Sequence, residues 1–337
     1  MASHNKNKSP KRLLKDLFQG KQIARPIFIP MVYRYASKVI KVSVSQLLGD
    51  AANLSRGLMT ARDLFDYDGI MSNYDTYADV DTLGESLGWA QGICTRDLIA
   101  MGRAGGICMR GATSLDKVGQ RQVILEATQQ ICEAVGREIP VMGVVSSPMT
   151  AIRTVLAERC QPFCRHREEL SKYLSDVQAV VLDSIKTYCE DRVDAIWLVE
   201  EDWTDIMRED IDCIKPLYET MWNVAQYYDV KTVLAFHRYD IDDIEKYLAL
   251  GSDAVFFGGE ASGGLQIDAL AEKAATENVC LGIGCPYPVD PEDELLLDRT
   301  IEAIRRNGNT VFLSTRFEVD LDVLPEHLNA IVNRIKS

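Results

Sequence analysis

The sequence predicts a single (β/α)8 TIM barrel, and three observations lead to this fold class. Eight short apolar runs alternate with longer stretches of helical periodicity along the 337 residues. The apolar runs do not alternate strictly with polar residues, which is typical of strands buried on both faces in a parallel sheet. Each run turns polar at its C-terminal end, the end at which barrels of this class carry their chemistry. Eight β-then-α units therefore favour one closed barrel over two separate domains.

The predicted strands follow one another from residue 27 to residue 316. They comprise residues 27–35, 68–75, 139–147, 194–202, 232–238, 253–259, 279–287 and 310–316. Helical periodicity separates them, most clearly in residues 166–189, where apolar residues recur at spacings of three and four. Acidic starts suit the helix dipole in four further predicted helices, over residues 241–250, 265–277, 291–307 and 323–335.

The charge of the chain is uneven along its length. The net charge is −13, yet residues 1–25 carry seven Lys or Arg against one acid, so the remainder holds −19. An acidic body excludes a nucleic-acid platform, because such a platform needs a basic face for phosphates. We predict a basic, partly disordered segment with the first helix over residues 1–25, and one barrel domain over residues 26–337.

Two further features bear on location. The sequence shows no signal-peptide pattern and no apolar run long enough to span a membrane. The nine cysteines form no disulfide pattern for a chain of this size. We therefore expect a cytoplasmic protein without a membrane partner, and an oligomer is compatible with the sequence.

Polar and aromatic residues at the strand ends form the predicted site. In a barrel these ends meet at one mouth, so their side chains converge on the same space. The candidates are Tyr33, Arg34, Tyr35, Asn73, Tyr74, Asp75, Glu200, Glu201, Trp203, His237, Tyr239, Cys285 and Arg316. Five of them would line an aromatic pocket for a flat substrate, or would pack under loops: Tyr33, Tyr35, Tyr74, Trp203 and Tyr239.

Four stretches carry a family resemblance, namely "SPKRLLKDLFQGKQIARPIFIP", "FDYDGIMSNYDTYADVDTLG", "VMGVVSSPMTAIRTVL" and "NTVFLSTRFEVDLDVLPEHLNAIV". In order and spacing they resemble the uroporphyrinogen decarboxylase superfamily. That group includes decarboxylases as well as corrinoid- and coenzyme M-dependent methyltransferases. The resemblance covers nearly the whole chain and implies a (β/α)8 barrel.

The resemblance to the decarboxylases implies a catalytic Asp75 and a substrate-binding Arg34. The first-strand loop, however, keeps one arginine where that branch has two, and Ser314 and Thr315 replace its C-terminal Gly–His pair. The strand ends are also acidic, and like charges in a low-dielectric cleft repel a substrate with many carboxylates. A decarboxylase using Asp75 and Arg34 is therefore the alternative interpretation.

The resemblance to the methyltransferases places His237 on the histidine of a His–x–Cys zinc motif. Tyr239 stands in place of that cysteine, which disfavours coenzyme M as a substrate. In the branch that demethylates small, often methoxyaromatic, substrates, zinc sites combine acids with histidine. The resemblance thus implies a zinc site of Glu200, Glu201 and His237, with Cys285 as a further ligand. Neighbouring strands would bring carboxylate and imidazole to about 5 Å.

The predicted function is methyl transfer from a small methylated, methoxyaromatic substrate to Co(I) of a corrinoid. A metal or a proton donor on the ether oxygen would assist, because an aryl oxide is a poor leaving group. His237, Asp75 and Glu201 are the predicted catalytic residues, and the substrate contacts are Tyr33, Arg34, Tyr35, Asn73, Tyr74, Trp203, Tyr239 and Arg316. The chain lacks an Asp–x–His–x–x–Gly corrinoid signature, so the corrinoid (cobalamin) would come on a separate protein. A non-catalytic binding protein is the third hypothesis.

Overall fold

Parallel strands in sequence order form the centre of the molecule. The computed structural model describes residues 8–75, 120–151, 167–203 and 208–337. Its strands are β1 (Ile70–Met71), β2 (Val141–Ser146), β3 (Ala195–Glu200), β4 (Lys231–Phe236), β5 (Ala254–Phe257), β6 (Cys280–Cys285) and β7 (Val311–Thr315). Each strand pairs in parallel with the next one in the chain. This order is that of a curled α/β barrel, as the sequence predicts.

Residues 27–29 take the place of an eighth strand. Ile29 N donates to the Leu313 carbonyl oxygen at 2.9 Å, and Leu313 N donates to the Ile27 carbonyl oxygen at 2.7 Å. On the other side, Asp68 N donates to the Phe28 carbonyl oxygen at 2.9 Å. The ladder is much shorter than the predicted strand over residues 27–35. Proline has no N–H to donate, and the prolines at 26 and 30 bracket the paired residues.

Helices surround the strands. They are α1 (Pro10–Phe18), α2 (Ala36–Ile40), α3 (Val44–Leu48), α4 (Ala51–Phe65), α5 (Gln120–Val135), α6 (Arg167–Glu190), α7 (Arg208–Tyr227), α8 (Ile244–Leu248), α9 (Ile267–Thr276), α10 (Pro291–Arg306) and α11 (Pro325–Lys336). Six of them lie where the sequence predicts a helix: α1, α6, α8, α9, α10 and α11. The start of α10 shows the local cause. Asp290 accepts from the backbone N–H groups of Glu292 and Asp293 at 2.9 Å, which satisfies two donors that the first turn leaves open.

The strands bury side chains on both faces, in two separate clusters. Trp197 and Val199 of β3 belong to a cluster inside the barrel, whereas Leu198 belongs to the cluster between strands and helices. Helix α1 adds Leu13 and Leu14 to the interior cluster. Burial of each such leucine contributes about 1.5–3 kcal/mol, which fixes α1 on the barrel.

The domain division at residue 26 stays a prediction, and residues 1–7 lie outside the described part of the chain. Among the described helices, none combines the length and the apolar character that crossing a bilayer requires.

Candidate active site at the barrel mouth

The register of the sheet determines which strand-end residues face inward. Glu200 lies opposite Phe236 in the β3–β4 pairing, so the next residues, Glu201 and His237, are also neighbours. Side chains alternate along a strand, and Val199 and Ala235, two positions earlier, belong to the interior cluster. Glu201 and His237 therefore share the inward face at the C-terminal end of the strands.

His237 and Tyr74 form a hydrogen-bonded pair at this end of the barrel. The hydroxyl of Tyr74 bonds to Nε2 of His237, and the two rings meet edge to face with centroids 5.9 Å apart. His237 is 4% exposed, whereas Tyr74 is half-buried. Burial, followed by the negative charges of Glu201 and Glu318, raises the pKa of Tyr74 well above its usual range. The phenol therefore stays protonated at any working pH.

The surroundings of His237 keep its imidazole neutral at neutral pH. Burial lowers the pKa of His237 below its ordinary value of 6.5, while Glu201 and the Arg316 backbone act in the opposite direction. Within the described residues, Nδ1 makes no regular hydrogen bond. The Phe317 ring lies nearly parallel to the imidazole, with centroids 5.8 Å apart and an interplanar angle of 17°.

Two glycines after β5 make room for this histidine. A Cβ on Gly258 would lie 3.0 Å from Nδ1 of His237 and 2.9 Å from the Arg316 carbonyl oxygen. Gly259 has φ +67°, which favours glycine, and a Cβ there would lie 2.0 Å from the His237 carbonyl oxygen. The GGEASGG stretch, which follows no phosphate-binding spacing, thus serves close backbone packing around His237.

The predicted zinc ligands do not converge, because two of the four face away from the mouth. Glu200 is 1% exposed and accepts hydrogen bonds from the Tyr218 hydroxyl of α7 and from Thr150 Oγ1, the latter at 3.1 Å. Cys285 packs in the cluster between strands and helices, and its Sγ donates to the Ser314 carbonyl oxygen at 3.2 Å. Strand alternation therefore places Glu200 and Cys285 on the opposite side of the strands from Glu201 and His237.

The donor set in the described part of the chain does not fit a zinc ion. Those residues hold no group of three or more His, Cys, Asp or Glu side chains that could coordinate one. Burial raises the pKa of the Cys285 thiol to about 12, so without a metal the thiol stays protonated at neutral pH. Zinc binding by Glu200, Glu201, His237 and Cys285 stays a prediction.

Arg34 is held by an acidic partner that the sequence did not indicate. Its guanidinium bonds to both carboxylate oxygens of Glu318, with Nε to Oε2 at 2.9 Å, and its backbone N donates to Oε1 at 2.8 Å. Burial raises the pKa of Glu318, and the hydrogen bond and charge of Arg34 oppose that rise. A cation committed in this way is a poor anchor for a substrate carboxylate.

Asp75 lies close enough to Arg34 and Glu318 to act on both electrostatically. Gln120 of α5 donates from Nε2 to Asp75 Oδ2 at 2.8 Å and lies 3.4 Å from the Tyr33 hydroxyl. Tyr33 is 1% exposed, and burial, reinforced by Asp75, raises its pKa well above the usual range. Tyr33, Asp75 and Gln120 form one polar cluster, which Asp75 joins to Tyr74, its neighbour in the chain.

Three of the five aromatic residues predicted for the pocket pack elsewhere. Tyr35 lies against Phe65 of α4, with centroids 6.2 Å apart. Trp203 and Tyr239 are buried between the strands and the helices, each against Tyr247 of α8. Tyr33 belongs to that same buried cluster, whereas the Tyr74 ring meets His237. An aromatic pocket for the substrate stays a prediction.

Asn73 and Arg316 also have structural partners. The Asn73 amide exchanges two hydrogen bonds of 3.1 Å with the backbone of Val144, so it extends the β1–β2 ladder. Arg316 forms a 3.2 Å ion pair with Glu260, and its backbone carbonyl accepts from Gly259 N at 3.0 Å. Among the described residues, no hydrogen bond or ion pair links either side chain to Tyr74 or His237.

Four residues in or around the site are absent from the sequence candidates, and the sequence could have indicated two of them. Phe317 and Glu318 come one and two positions after the predicted end of the last strand, so a longer strand-end window would have included both. Gln120 stands 45 residues after Asp75, and Tyr218 sits on a helix beyond β3. No local pattern marks either of these.

The fold and the mouth define an α/β barrel with a strand-end site, and comparison with known proteins gives its family. The model of the uroporphyrinogen decarboxylase (URO-D) family matches residues 9–273, so the chain belongs to that family. No curated protein matches the chain.

One solved structure shares the fold over nearly the whole chain. A methyltransferase from Methanosarcina mazei is similar over 98% of this chain and 99% of its own, with 14% identity and a TM-score of 0.72. At that identity the likeness establishes a shared fold. A dihydrodipicolinate synthase from Oceanobacillus iheyensis matches 64% of this chain and 56% of its own, at 10% identity and a TM-score of 0.37.

Proposed function

We propose that this protein is a methyltransferase that moves a methyl group from a small methoxyaromatic compound to Co(I) of a separate corrinoid protein. The hydrogen-bonded Tyr74–His237 pair at the barrel mouth is the observation that carries the proposal. Family membership supports it, and so does the similarity to a protein described as a methyltransferase.

The chemistry requires a proton at the leaving oxygen. The carbon–oxygen bond of the methyl ether breaks as the methyl group passes to Co(I), and the electron pair of that bond stays on oxygen. An aryl oxide leaves slowly, so protonation of the oxygen lowers the barrier. The corrinoid is a second substrate here, delivered by its own protein.

The Tyr74–His237 pair can supply this proton. When the imidazole is protonated, Nε2–H donates to the phenol oxygen, and the Tyr74 hydroxyl hydrogen is available to an oxygen in the mouth. Because burial lowers the pKa of His237, few pairs are protonated at neutral pH, but each is a stronger acid. The solvent restores the proton after each turnover.

The test combines demethylation with two tyrosine variants. The protein would be incubated with a panel of methoxyarenes and a Co(I) corrinoid protein, with product phenol measured. We expect Tyr74→Phe to lower the rate by about 10²–10⁴-fold, the usual range for a lost acid catalyst. Tyr239→Phe is the matched control, because its buried hydroxyl has no partner in the described part of the chain. No phenol from any methoxyarene would overturn the proposal.

The pH profile tests the role of the pair separately. Since the protonated pair is the acid, kcat/KM should fall as pH rises through the lowered pKa of His237. A profile that rises over this range contradicts acid catalysis by the pair while leaving methyl transfer intact.

Decarboxylation of a pyrrolic acid is the second candidate function. Family membership favours it, together with the position of Asp75 beside Arg34, on whose pKa Asp75 acts electrostatically. The Glu318–Arg34 pair counts against it, because that arginine is already engaged. Decarboxylation of uroporphyrinogen by the wild type, lost in Asp75→Asn, would establish this function.

A further inference from the structure

Phe317 is a large apolar side chain held open to solvent beside the Tyr74–His237 pair. It is 45% exposed, although its ring lies almost parallel to the buried imidazole of His237. Single exposed apolar residues are common on protein surfaces and need no explanation by themselves. The position of this one, stacked against a predicted catalytic residue, distinguishes it.

The backbone on both sides of Phe317 is fixed, so its exposure belongs to the fold. Arg316 accepts a hydrogen bond from Gly259 N at 3.0 Å, and Val319 N donates to the Met31 carbonyl oxygen at 3.0 Å. The next side chain, Glu318, is clamped by Arg34. These contacts fix the backbone that carries the Phe317 ring, and a substrate-binding side chain needs such a rigid support.

The chemistry of the ring fits a flat partner. An aromatic ring stacks with another in an offset parallel arrangement, and one such pair contributes beyond simple area burial. His237 lies nearly parallel to Phe317 with centroids 5.8 Å apart. The exposed 45% of the Phe317 side chain can receive a second ring. The Tyr74 hydroxyl bonds to the same histidine that Phe317 lies against, so Phe317 and Tyr74 belong to one site.

We infer that Phe317 is a specificity-determining residue, and that its exposed face stacks on the aromatic ring of the methyl donor. The inference rests on the proposed function and sharpens it, since it selects planar arenes over saturated methyl ethers of the same size. Phe317 holds the substrate ring and takes no part in proton transfer.

The experiment compares two probes on the full-length protein, 2-methoxyphenol and 2-methoxycyclohexanol. They are similar in size, and each carries a methoxy group next to a hydroxyl group. Only the first has a flat, aromatic ring. Dissociation constants are measured without any corrinoid protein, by calorimetry or ligand-observed NMR. The wild type should prefer the arene, and Phe317→Leu should weaken arene binding by about 2- to 12-fold while leaving the saturated probe unchanged. Phe317→Tyr should restore arene binding.

Several results would overturn the inference. Equal weakening of both probes in Phe317→Leu would mean that the ring only supports His237, and an altered NMR signal of that imidazole in Phe317→Tyr would mean the same. Absence of arene binding to the wild type, or an unchanged arene affinity in Phe317→Leu, would also overturn it. A clear arene preference without demethylation in the corrinoid assay would refute the proposed function. Stacking of an arene on Phe317 would still be supported.

Discussion

Gly258→Ala tests how tightly the fold encloses His237. The added Cβ would lie 2.8 Å from Cε1 of Phe256, 2.9 Å from the Arg316 carbonyl oxygen and 3.0 Å from His237 Nδ1. Comfortable carbon contacts lie at about 3.5–4.0 Å, so at least one neighbour must move. The Arg316 oxygen is fixed by Gly259 N, and Phe256 packs between other rings of the barrel interior. Because these two contacts are shorter than the one to His237, the surroundings of the imidazole must shift together with it.

Two opposing effects set the size of the change. Overpacking by one carbon costs about 1–3 kcal/mol. Replacing glycine by alanine also lowers the conformational entropy of the unfolded chain, which stabilises the folded state by about 0.4–1 kcal/mol. The strain is the larger effect, so we expect a net loss of about 1–2 kcal/mol.

The assay for Gly258→Ala is the urea midpoint at constant m-value, together with NMR signals of the His237 imidazole. Gly264→Ala is the matched control from the same loop, because a Cβ there meets nothing within 4 Å. The control should be neutral or slightly stabilising. If Gly258→Ala matches it in stability and leaves the imidazole signals unchanged, the close packing around His237 is refuted.

Three further predictions concern stability. Tyr218→Phe should destabilise by about 1–3 kcal/mol, measured by urea unfolding, because it removes a donor from the buried Glu200 carboxylate. In a double-mutant cycle with Arg34→Met and Glu318→Gln, the two side chains should couple by about 0.5–3 kcal/mol. Lowering the pH below 6.5 should destabilise the wild type, since the unfolded chain protonates His237 more readily than the folded one does. His237→Gln should lack that part of the pH dependence.

Each of these predictions has a contrasting result. For Tyr218→Phe the control is Tyr239→Phe, and an equal loss in both would remove the special role of the Glu200 contact. A coupling near zero would show that the Arg34–Glu318 pair is a surface contact of little weight. An identical pH dependence in the wild type and His237→Gln would contradict a depressed pKa for that histidine.

The sequence located the elements well, because their signals are local. Apolar runs and helical spacing depend on residues close in the chain. Each predicted strand after the first overlaps an observed strand, and only β4 starts outside its predicted bounds, by one residue. The caps and acidic starts of helices such as α10 are equally local. Long-range partners carry no such signal. Arg34 and Glu318 stand 284 residues apart and meet only because the last strand closes on the first segment.

The sequence by itself determined the barrel, the mouth and the place of His237 on it. Only the tertiary structure decided which neighbour faces that mouth. Glu200 and Glu201 are adjacent, and strands buried on both faces show no alternation to tell them apart. The register assigns Glu201 to the interior with His237 and turns Glu200 to Tyr218 of α7. A shift of one position along a strand reverses the direction of the side chain. Only the folded structure therefore shows which of the two glutamates faces the mouth.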